Sequence, residues 1–426
     1  MVSTTVTFVA VVVFAFVAGR TLERFSSRLL FLSSVGYVLL GVVLGPVFPP
    51  RLLSTELLAD VDLLVSTLLG VVGFLCGLGL RRVQTGIEPT LAGLAASSGV
   101  IATVALAVAG TVQWLDPSLF AAEPVFAMPL LVTDGWLLSA WVSPEGLVMG
   151  LSVGAAAGST SAELVEAAIV HFRVSSRRAD LLRAMARTSE VLAVFCFGMA
   201  MAGSRATASA GALGLTLIEW GVIMVAAGGI TGLLFSVFLG QEDDEIRTTV
   251  ASVGVVVFSA GVGSALGVSP LFLNLMAGMT VALTSPYAAR LSHALEPLRV
   301  PTMVLVLLLA GATWRPTTGL YWLLIPGYAL LRWFTRRAFS AVAVATFVSD
   351  RSMRDGIGNA LLAQGALACA ISVAFAQRFP ELAGAVTSTI LGGMVISDAL
   401  AFRSMRVYLA DVGEVQTHPS APGAEP

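Results

Sequence analysis

The sequence predicts an all-α integral membrane protein with about thirteen transmembrane helices. Hydrophobic residues make up 57% of its 426 residues and charged residues only 12%, whereas soluble domains carry roughly a quarter charged residues. Several almost uncharged stretches approach the ~20 residues that a helix needs to cross a bilayer. These stretches are continuously apolar rather than alternating, which favours helices over the strands of an outer-membrane barrel.

The apolar stretches divide the chain into helices joined by more polar segments. The predicted helices span residues 4–19, 29–48, 62–80, 89–114, 146–170, 184–203, 211–239, 248–266, 270–284, 300–314, 319–347, 356–377 and 382–402. Residues 126–142 form an apolar portion of a long loop and are interpreted as an extra half-helix. Residues 1–406 are predicted to form the transmembrane domain. Residues 407–426, rich in Pro, Gly and Ala, are predicted to form a disordered cytoplasmic tail.

The placement of arginine predicts the orientation, because cytoplasmic loops carry an excess of basic residues. The chain has no lysine. With the N-terminus outside, nearly all of the 24 basic residues fall in inner loops or at inner helix ends. The exceptions are Arg51, Arg205, Arg315 and Arg378. We therefore expect a multi-pass protein of the cell membrane with its N-terminus outside and its C-terminus in the cytoplasm.

Two pairs of glycine-containing segments occur in the same order in the two halves of the chain. Gly36–Pro46 precedes Gly77–Arg81 in the first half, and Leu273–Ala282 precedes Gly311–Arg315 in the second. The paired helices cross the membrane in opposite senses in the predicted topology. This pattern predicts inverted-topology repeats over about 29–203 and 270–403, an architecture of many secondary transporters.

Glu190 is the leading functional candidate, because an ionisable side chain deep in an apolar helix costs ~2.5–3.5 kcal/mol on insertion scales. Several apolar turns follow it toward the predicted outer face. A carboxylate in this position can bind a bare monovalent cation or a proton, and competition for one carboxylate is the minimum chemistry of cation/proton antiport. The alternative interpretation is an ion pair with Arg187, one helical turn earlier.

Two further segments have the composition of discontinuous helices. In the predicted helix 146–170, small and hydroxyl side chains cluster at Gly158, Ser159, Thr160 and Ser161. Their oxygens and freed carbonyls suit a cation, although packing through small residues is the alternative. Glu163 follows as a candidate second carboxylate. In the predicted helix 356–377, Gln364 and Gly365 indicate either an unwound centre or an interhelical hydrogen bond.

Three arginines fall in or near the inner part of the predicted helix 319–347, namely Arg332, Arg336 and Arg337. Long basic side chains near helix ends extend to the membrane interface, and we expect these three to do so. Arg332 is also a candidate to balance the charge of a buried carboxylate.

These motifs resemble the cation/proton antiporter superfamily, which includes sodium/proton exchangers and Kef-type potassium/proton exchangers. Val35–Pro46 is similar to the family's second-helix segment, and Leu266–Gly278 is similar to its Leu-Gly-Leu-Ser-Pro…Ala-Gly segment. Gly158–Ala162 falls where the family's first crossing helix is broken. The resemblance covers nearly the whole chain. It implies a core domain that moves against a dimerisation domain, two crossing broken helices and a homodimer.

The resemblance also implies that Glu190 is the exchanging carboxylate. Family members usually carry Asn-Asp, Asp-Asp or Gln-Asp there, whereas this chain has Ser189-Glu190, so the stoichiometry of the paired aspartates is not implied. Electrogenic members use a membrane-embedded lysine, which this chain lacks, and an arginine is not deprotonated in proteins. We therefore expect an electroneutral exchange of Na+ or K+ for H+.

A second hypothesis is a transport-inactive relative that acts as a membrane sensor or scaffold, with Arg187 locking Glu190 in a permanent ion pair. An enzyme is not expected, because no nucleophile, base and oxyanion constellation is present. The sequence also predicts no cofactor, no metal site beyond the transported cation and no nucleic-acid partner. The lipid bilayer is the remaining expected partner.

Overall fold

The computed structural model describes residues 30–49, 53, 55–82, 86–115, 144–208, 216–239, 245–317 and 319–410. All regular secondary structure in these ranges is helical, which confirms the predicted all-α class. The predicted helix 4–19, the apolar segment 126–142 and residues 411–426 lie outside the described residues.

The helices are numbered here in chain order. They are α1 (Leu30–Leu44), α2 (Thr55–Asp60), α3 (Asp62–Leu78), α4 (Ile87–Leu115), α5 (Pro144–Gly158), α6 (Ala162–Phe172), α7 (Arg177–Ala208), α8 (Leu217–Leu239), α9 (Glu245–Leu266), α10 (Pro270–Thr284), α11 (Ala288–Ala294), α12 (Glu296–Ala312), α13 (Leu324–Phe347), α14 (Ile357–Ala360), α15 (Gly365–Arg378) and α16 (Ala383–Ala410). Short 3-10 segments occur at Gly79–Arg82, Gly319–Leu323 and Arg351–Arg354. Helix α7 is longer than the predicted 184–203, because its charged first turns lie outside the apolar run on which the prediction rested.

Length and composition identify a multi-pass membrane protein. Within the described ranges, six helical segments are long and apolar enough to cross a bilayer, or up to seven if the pair α11 and α12, bent by 57°, forms one span. Shorter apolar helices occur at Ser34–Leu44, Asp62–Leu78, Pro270–Thr284 and Gly365–Arg378. The number of thirteen transmembrane helices stays a prediction.

The helices pack as two bundles. The core bundle contains α4, α5, α6, α7, α13, α14, α15 and α16, with α4 packed along both α5 and α13. The second bundle contains α1, α2, α3, α9, α10, α11 and α12, with α3 packed along α10 and α1 along α12. Helix α8 lies against α10 and α7 and so contacts both bundles.

The glycines of the repeated sequence motifs lie where two helices of the second bundle cross closely. A Cβ atom at Gly41 of α1 would collide with the Leu308 carbonyl of α12, and one at Gly311 would collide with the Val38 carbonyl. Gly278 of α10 meets the backbone of α3 in the same way. Small residues allow such close backbone approach in membrane helices, so these glycines have a packing role outside the site.

Helix α16 extends further than the sequence predicts. It continues to Ala410, so the first four residues of the predicted tail 407–426 are helical. Tyr408 and Leu409 are buried, and the Tyr408 hydroxyl donates a hydrogen bond to the Met353 carbonyl at 3.2 Å. Burial of these two side chains holds the last helical turn against the core bundle.

Candidate functional site

The first helix break separates α5 from α6. Helix α5 ends at Gly158, residues 159–161 are non-helical, and α6 begins at Ala162. Ser161 is the N-cap of α6, because its side chain accepts a hydrogen bond from the Leu164 amide. A Cβ atom on Gly158 would collide with the side chain of Ile101, so the absence of a side chain lets α4 pack against this helix end.

The second helix break separates α14 from α15 and touches the first. Residues 361–364 are non-helical. The Ser161 amide donates to the Ala363 carbonyl at 2.8 Å, and the Thr160 hydroxyl donates to the Leu361 carbonyl at 2.8 Å. In the opposite direction, the side-chain amide of Gln364 in the second break donates a hydrogen bond to the Ala156 carbonyl near the end of α5 at 2.8 Å. Backbone groups that each break leaves without a helical partner are therefore partly satisfied by the other break.

Two fully buried arginines of α13 hold the carbonyl ends of the broken helices. Arg332 donates to the carbonyls of Ala157 at 3.0 Å, Ser159 at 3.0 Å and Leu362 at 2.6 Å. Arg336 donates to the carbonyl of Gly158 at 2.5 Å. The C-terminal end of a helix carries partial negative charge, which a cation stabilises.

The expectation that these two side chains extend to the membrane interface is therefore wrong. Arg332 is 0% and Arg336 1% exposed, because the broken helices offer them carbonyl acceptors inside the bundle. Arg337 is exposed and packs over the Trp333 ring at 5.9 Å, and its extension to the membrane interface stays a prediction.

Glu190 lies at the amide end of the first break. Its Oε1 accepts a hydrogen bond from the Ala162 amide, the first residue of α6, at 2.8 Å. The N-terminal end of a helix carries partial positive charge and exposed amide donors, which favour a nearby carboxylate. Because Glu190 belongs to α7, this contact also fixes α7 against the break.

Two adjoining cavities lead to Glu190. The larger, which we call the vestibule, has a volume of about 780 Å³ and lies between α6 and α7 of the core bundle and α1 and α12 of the second bundle. The smaller, which we call the recess, has a volume of about 20 Å³ and has Glu190 on its wall. Residues that line both cavities are Ser161, Glu163, Arg187, Arg299, Met303 and Ala366. A cavity needs about 10–15 Å³ to hold one water molecule, so the recess has room for a single occupant of that size.

The charged residues at this site form two groups. Glu163 pairs with Arg299 of α12, whose Nε donates to the Glu163 carboxylate. Glu166, one turn later on α6, accepts hydrogen bonds from Arg183 at 2.7 and 3.1 Å. Arg187 lines the vestibule and the recess. Glu163 and Arg187 thus stand around the recess with Glu190, whereas Glu166 is paired in the vestibule.

Thr160 and Ser189 lie behind the recess in the hydrogen-bond network of the first break. The Thr160 hydroxyl accepts from Arg336 at 2.8 Å in addition to its bond to the second break. The Ser189 hydroxyl accepts from the Thr160 amide at 3.1 Å and donates to the Ala186 carbonyl at 2.6 Å. Of the hydroxyl candidates, only Ser161 lines the recess itself.

The sequence-based selection missed Asp398 of α16. This residue is fully buried and lies at the amide end of the second break. Its carboxylate accepts hydrogen bonds from the backbone amides of Gln364 at 2.7 Å and Gly365 at 3.4 Å. Asp398 is the only charged residue in the predicted helix 382–402. The rule that selected Glu190 would have selected it as well.

Opposite charges therefore face the ends of both breaks. Arg332 and Arg336 face the carbonyl ends, and Glu190 and Asp398 face the amide ends, one carboxylate for each break. Only Glu190 lines one of the two cavities described above. Glu190 and Asp398 thus occupy equivalent positions at the two breaks, but of the two only Glu190 lines a cavity that adjoins the vestibule.

At the opposite end of the interface, hydrogen bonds join the bundles. Gln377 of α15 donates to Asp62 of α3 at 2.7 Å, and the Trp314 indole donates to the Ser388 hydroxyl of α16 at 3.0 Å. Asp62 begins α3, whereas Cys76 near its other end lines the recess, a separation of about 21 Å at 1.5 Å per residue. One face of the interface is open to the vestibule, and at the other face these hydrogen bonds lie beside a smaller cavity of about 130 Å³ that Asp62 and Gln377 also line.

Comparison with solved structures finds the sodium proton antiporter MjNhaP1 from Methanocaldococcus jannaschii. Its structure at pH 8 matches with a TM-score of 0.63 and 14% identity, covering 94% of this chain and 98% of that chain. The fold is that of a sodium proton antiporter. An electron-microscopy structure of the same antiporter matches with a TM-score of 0.56 and 15% identity, covering 97% and 99% of the two chains. No family model and no curated protein sequence matches the chain.

The predicted resemblance to cation/proton antiporters is confirmed at the level of the antiporter fold. The inverted repeat, the orientation in the membrane and the homodimer stay predictions. The roles of individual site residues are proposals, developed below from their contacts.

Proposed function

We propose that this chain is a secondary-active antiporter that exchanges a monovalent cation for a proton at Glu190. The observation that carries the proposal is the position of this carboxylate. It is held by the Ala162 amide at 2.8 Å on the wall of a recess of about 20 Å³ that adjoins the water-accessible vestibule. A single small occupant of such a recess competes with a proton for the same negative charge.

The neighbouring groups support cation binding in this proposal. Ser161 and Glu163 line the recess with Glu190 and supply the oxygen ligands that hard cations prefer. Thr160 and Ser189 act as positioning residues, because their hydroxyls hold the first break together and do not line the recess. Gly158, Ser159, Gln364 and Gly365 form the contacting ends of the two breaks, which Arg332 and Arg336 stabilise.

Exchange in this scheme is electroneutral. Glu190 carrying a proton and ionised Glu190 carrying one monovalent cation have the same net charge. Both loaded forms of the core bundle therefore carry the same total charge across the membrane. The surrounding charges of Arg332, Arg336 and Asp398 stay fixed through the cycle, because none of them lines the recess or the vestibule.

The direct test is exchange in proteoliposomes with an internal pH dye, in which sodium, potassium or lithium is added outside. Glu190→Gln is expected to abolish cation-dependent proton flux, since a neutral side-chain amide does not take up and release a proton when a cation leaves and binds. Glu219→Gln is the matched control, because this exposed carboxylate caps the start of α8 through Thr216. Full flux in the Glu190→Gln protein would refute the assignment.

Electroneutrality has its own readout in the same vesicles. An imposed potassium-valinomycin potential is expected to leave the initial rate of sodium/proton exchange unchanged. A rate that rises or falls with the potential would show that net charge moves in each cycle, so that a stoichiometry other than one for one would apply.

A transport-inactive sensor or scaffold is the second candidate, and the position of Arg187 favours it. Arg187 lies one turn before Glu190 on α7 and lines the recess beside it. A permanent pairing of the two would exclude a cation. In that case wild-type vesicles would show no exchange, and Arg187→Gln would be expected to create cation-dependent proton flux.

A further inference from the structure

The ion pair between Glu163 and Arg299 joins the two bundles at the boundary between vestibule and recess. Glu163 lies in the first turn of α6 in the core bundle, and Arg299 in the first turn of α12 in the second bundle. Their side chains are 28% and 22% exposed, so the pair is only partly screened by solvent. Both residues line both cavities.

We propose that this ion pair is a latch that biases the bundles toward the vestibule-open arrangement, and that a cation entering the recess weakens this bias. The inference rests on the function proposed above and names Arg299 and Glu163 as the residues that couple occupancy to movement. The occupant is the monovalent cation of the proposed exchange, which takes the place of the Arg299 guanidinium as the partner of Glu163.

Electrostatics gives the latch its dependence on occupancy. A cation in the recess lies beside Glu163 and Glu190 and close to Arg299. It attracts the carboxylate of Glu163 and repels the guanidinium of Arg299, and both effects are larger in a partly buried site than in water. Occupancy therefore weakens the pair.

The placement of the pair on two different bundles gives the latch its mechanical effect. Movement of the core bundle against the second bundle changes the position of α6 relative to α12. The Glu163–Arg299 contact is compatible with one of those positions. Arg187 also lines the recess, but it belongs to α7 of the core bundle and so accompanies Glu163 in any such movement.

The consequence for transport is tighter coupling. A carrier with an empty, ionised site that changed its accessible face would let cations pass without a proton in exchange. A latch that favours the vestibule-open arrangement makes this step less frequent. Loss of the latch is therefore expected to increase cation movement down its gradient without counter-transport of protons.

Spin labels on the face opposite the vestibule test the latch without reference to transport. In a variant lacking the native cysteines, Glu56→Cys of the second bundle and Glu381→Cys beside α15 place labels at exposed positions. Pulsed electron paramagnetic resonance in sodium-free nanodiscs then measures the distance between the labels. Short distances report the vestibule-open arrangement, in which the opposite face is closed, and long distances report the reverse, so the measurement gives the ratio of closed to open arrangements at that face. Arg299→Gln and Glu163→Gln are each expected to lower this ratio about fivefold, as for loss of ~1 kcal/mol from one ion pair.

Two variants distinguish the latch from a general loss of charge or stability. Glu296→Gln removes a carboxylate 3.6 Å from the same guanidinium, but within α12 itself, and is expected to leave the ratio unchanged. The exchanged pair Glu163→Arg with Arg299→Glu is expected to restore the ratio. An unchanged ratio in both single glutamine variants overturns the latch, and so does an exchanged pair that behaves like the single variants.

The same measurement separates failure of the latch from failure of the proposed function. Glu190→Gln leaves the Glu163–Arg299 pair intact and is expected to keep the wild-type ratio while it abolishes proton flux. A wild-type protein without exchange, in which Arg299→Gln still lowers the ratio, would refute antiport and support the latch. Exchange that depends on Glu190, with a ratio that is insensitive to Arg299, would support antiport and refute the latch.

Discussion

Gly365→Ala probes the contact between the two helix breaks directly. Gly365 has a φ of 61°, in the left-handed region that costs a residue with a Cβ atom about 1–2 kcal/mol. A Cβ atom there would also lie 2.7 Å from both Cβ and Oγ of Ser161. Overpacking of this kind costs about 1–3 kcal/mol. The two effects together give an expected loss of about 2–5 kcal/mol.

Gly319→Ala is the matched control, because Gly319 has the same φ of 61° and no atom within 4 Å of an added Cβ. This variant carries the backbone strain alone, an expected loss of about 1–2 kcal/mol. Thermal unfolding of the two purified variants, followed by tryptophan fluorescence in one detergent, measures the difference. Gly365→Ala should also weaken cation binding in the exchange assay, since Ser161 lines the recess. Equal destabilisation and equal exchange in the two variants would refute the close contact between the breaks.

Three further predictions concern the charges and thiols of the core. Arg332→Met is expected to destabilise the protein by about 3–5 kcal/mol, as measured by thermal unfolding, because it removes a buried positive charge and leaves three carbonyls without their hydrogen-bond donor. Asp398→Asn is expected to lower stability while leaving the cation dependence of exchange unchanged, and a changed cation affinity would contradict its fixed role. In a variant lacking Cys196, a membrane-impermeant maleimide is expected to spare the fully buried Cys369 and also Cys76, because the reagent is larger than the recess that Cys76 lines, as mass spectrometry would show.

The sequence was sufficient for the elements that depend on local composition. Continuous apolar stretches predicted most helices of the described ranges, and α10 begins and ends at the predicted residues 270 and 284. Clusters of small and hydroxyl residues marked the segment where α5 ends. These features follow from the cost of placing polar groups in lipid, which acts on each segment by itself.

Contacts between distant segments were beyond the sequence. The pairing of Glu163 with Arg299 joins residues 136 positions apart, and no local pattern connects them. Arg332 and Arg336 were expected at the membrane interface, because the sequence of one helix does not reveal which carbonyls of other segments surround its side chains. Their burial depends on two helix breaks meeting in space, which is a property of the assembled bundle.

The size of the recess has a consequence for ion selection. A cavity needs about 10–15 Å³ to hold one water molecule, and the recess has about 20 Å³. In the proposed exchange, an alkali ion that reaches Glu190 therefore leaves most of its hydration shell in the vestibule. The preference among lithium, sodium and potassium then depends on how well a few protein oxygens replace the lost water for each ionic radius. In the proposed exchange, the charge of Glu190 does not distinguish one alkali ion from another, and the energy of dehydration decides which of them binds.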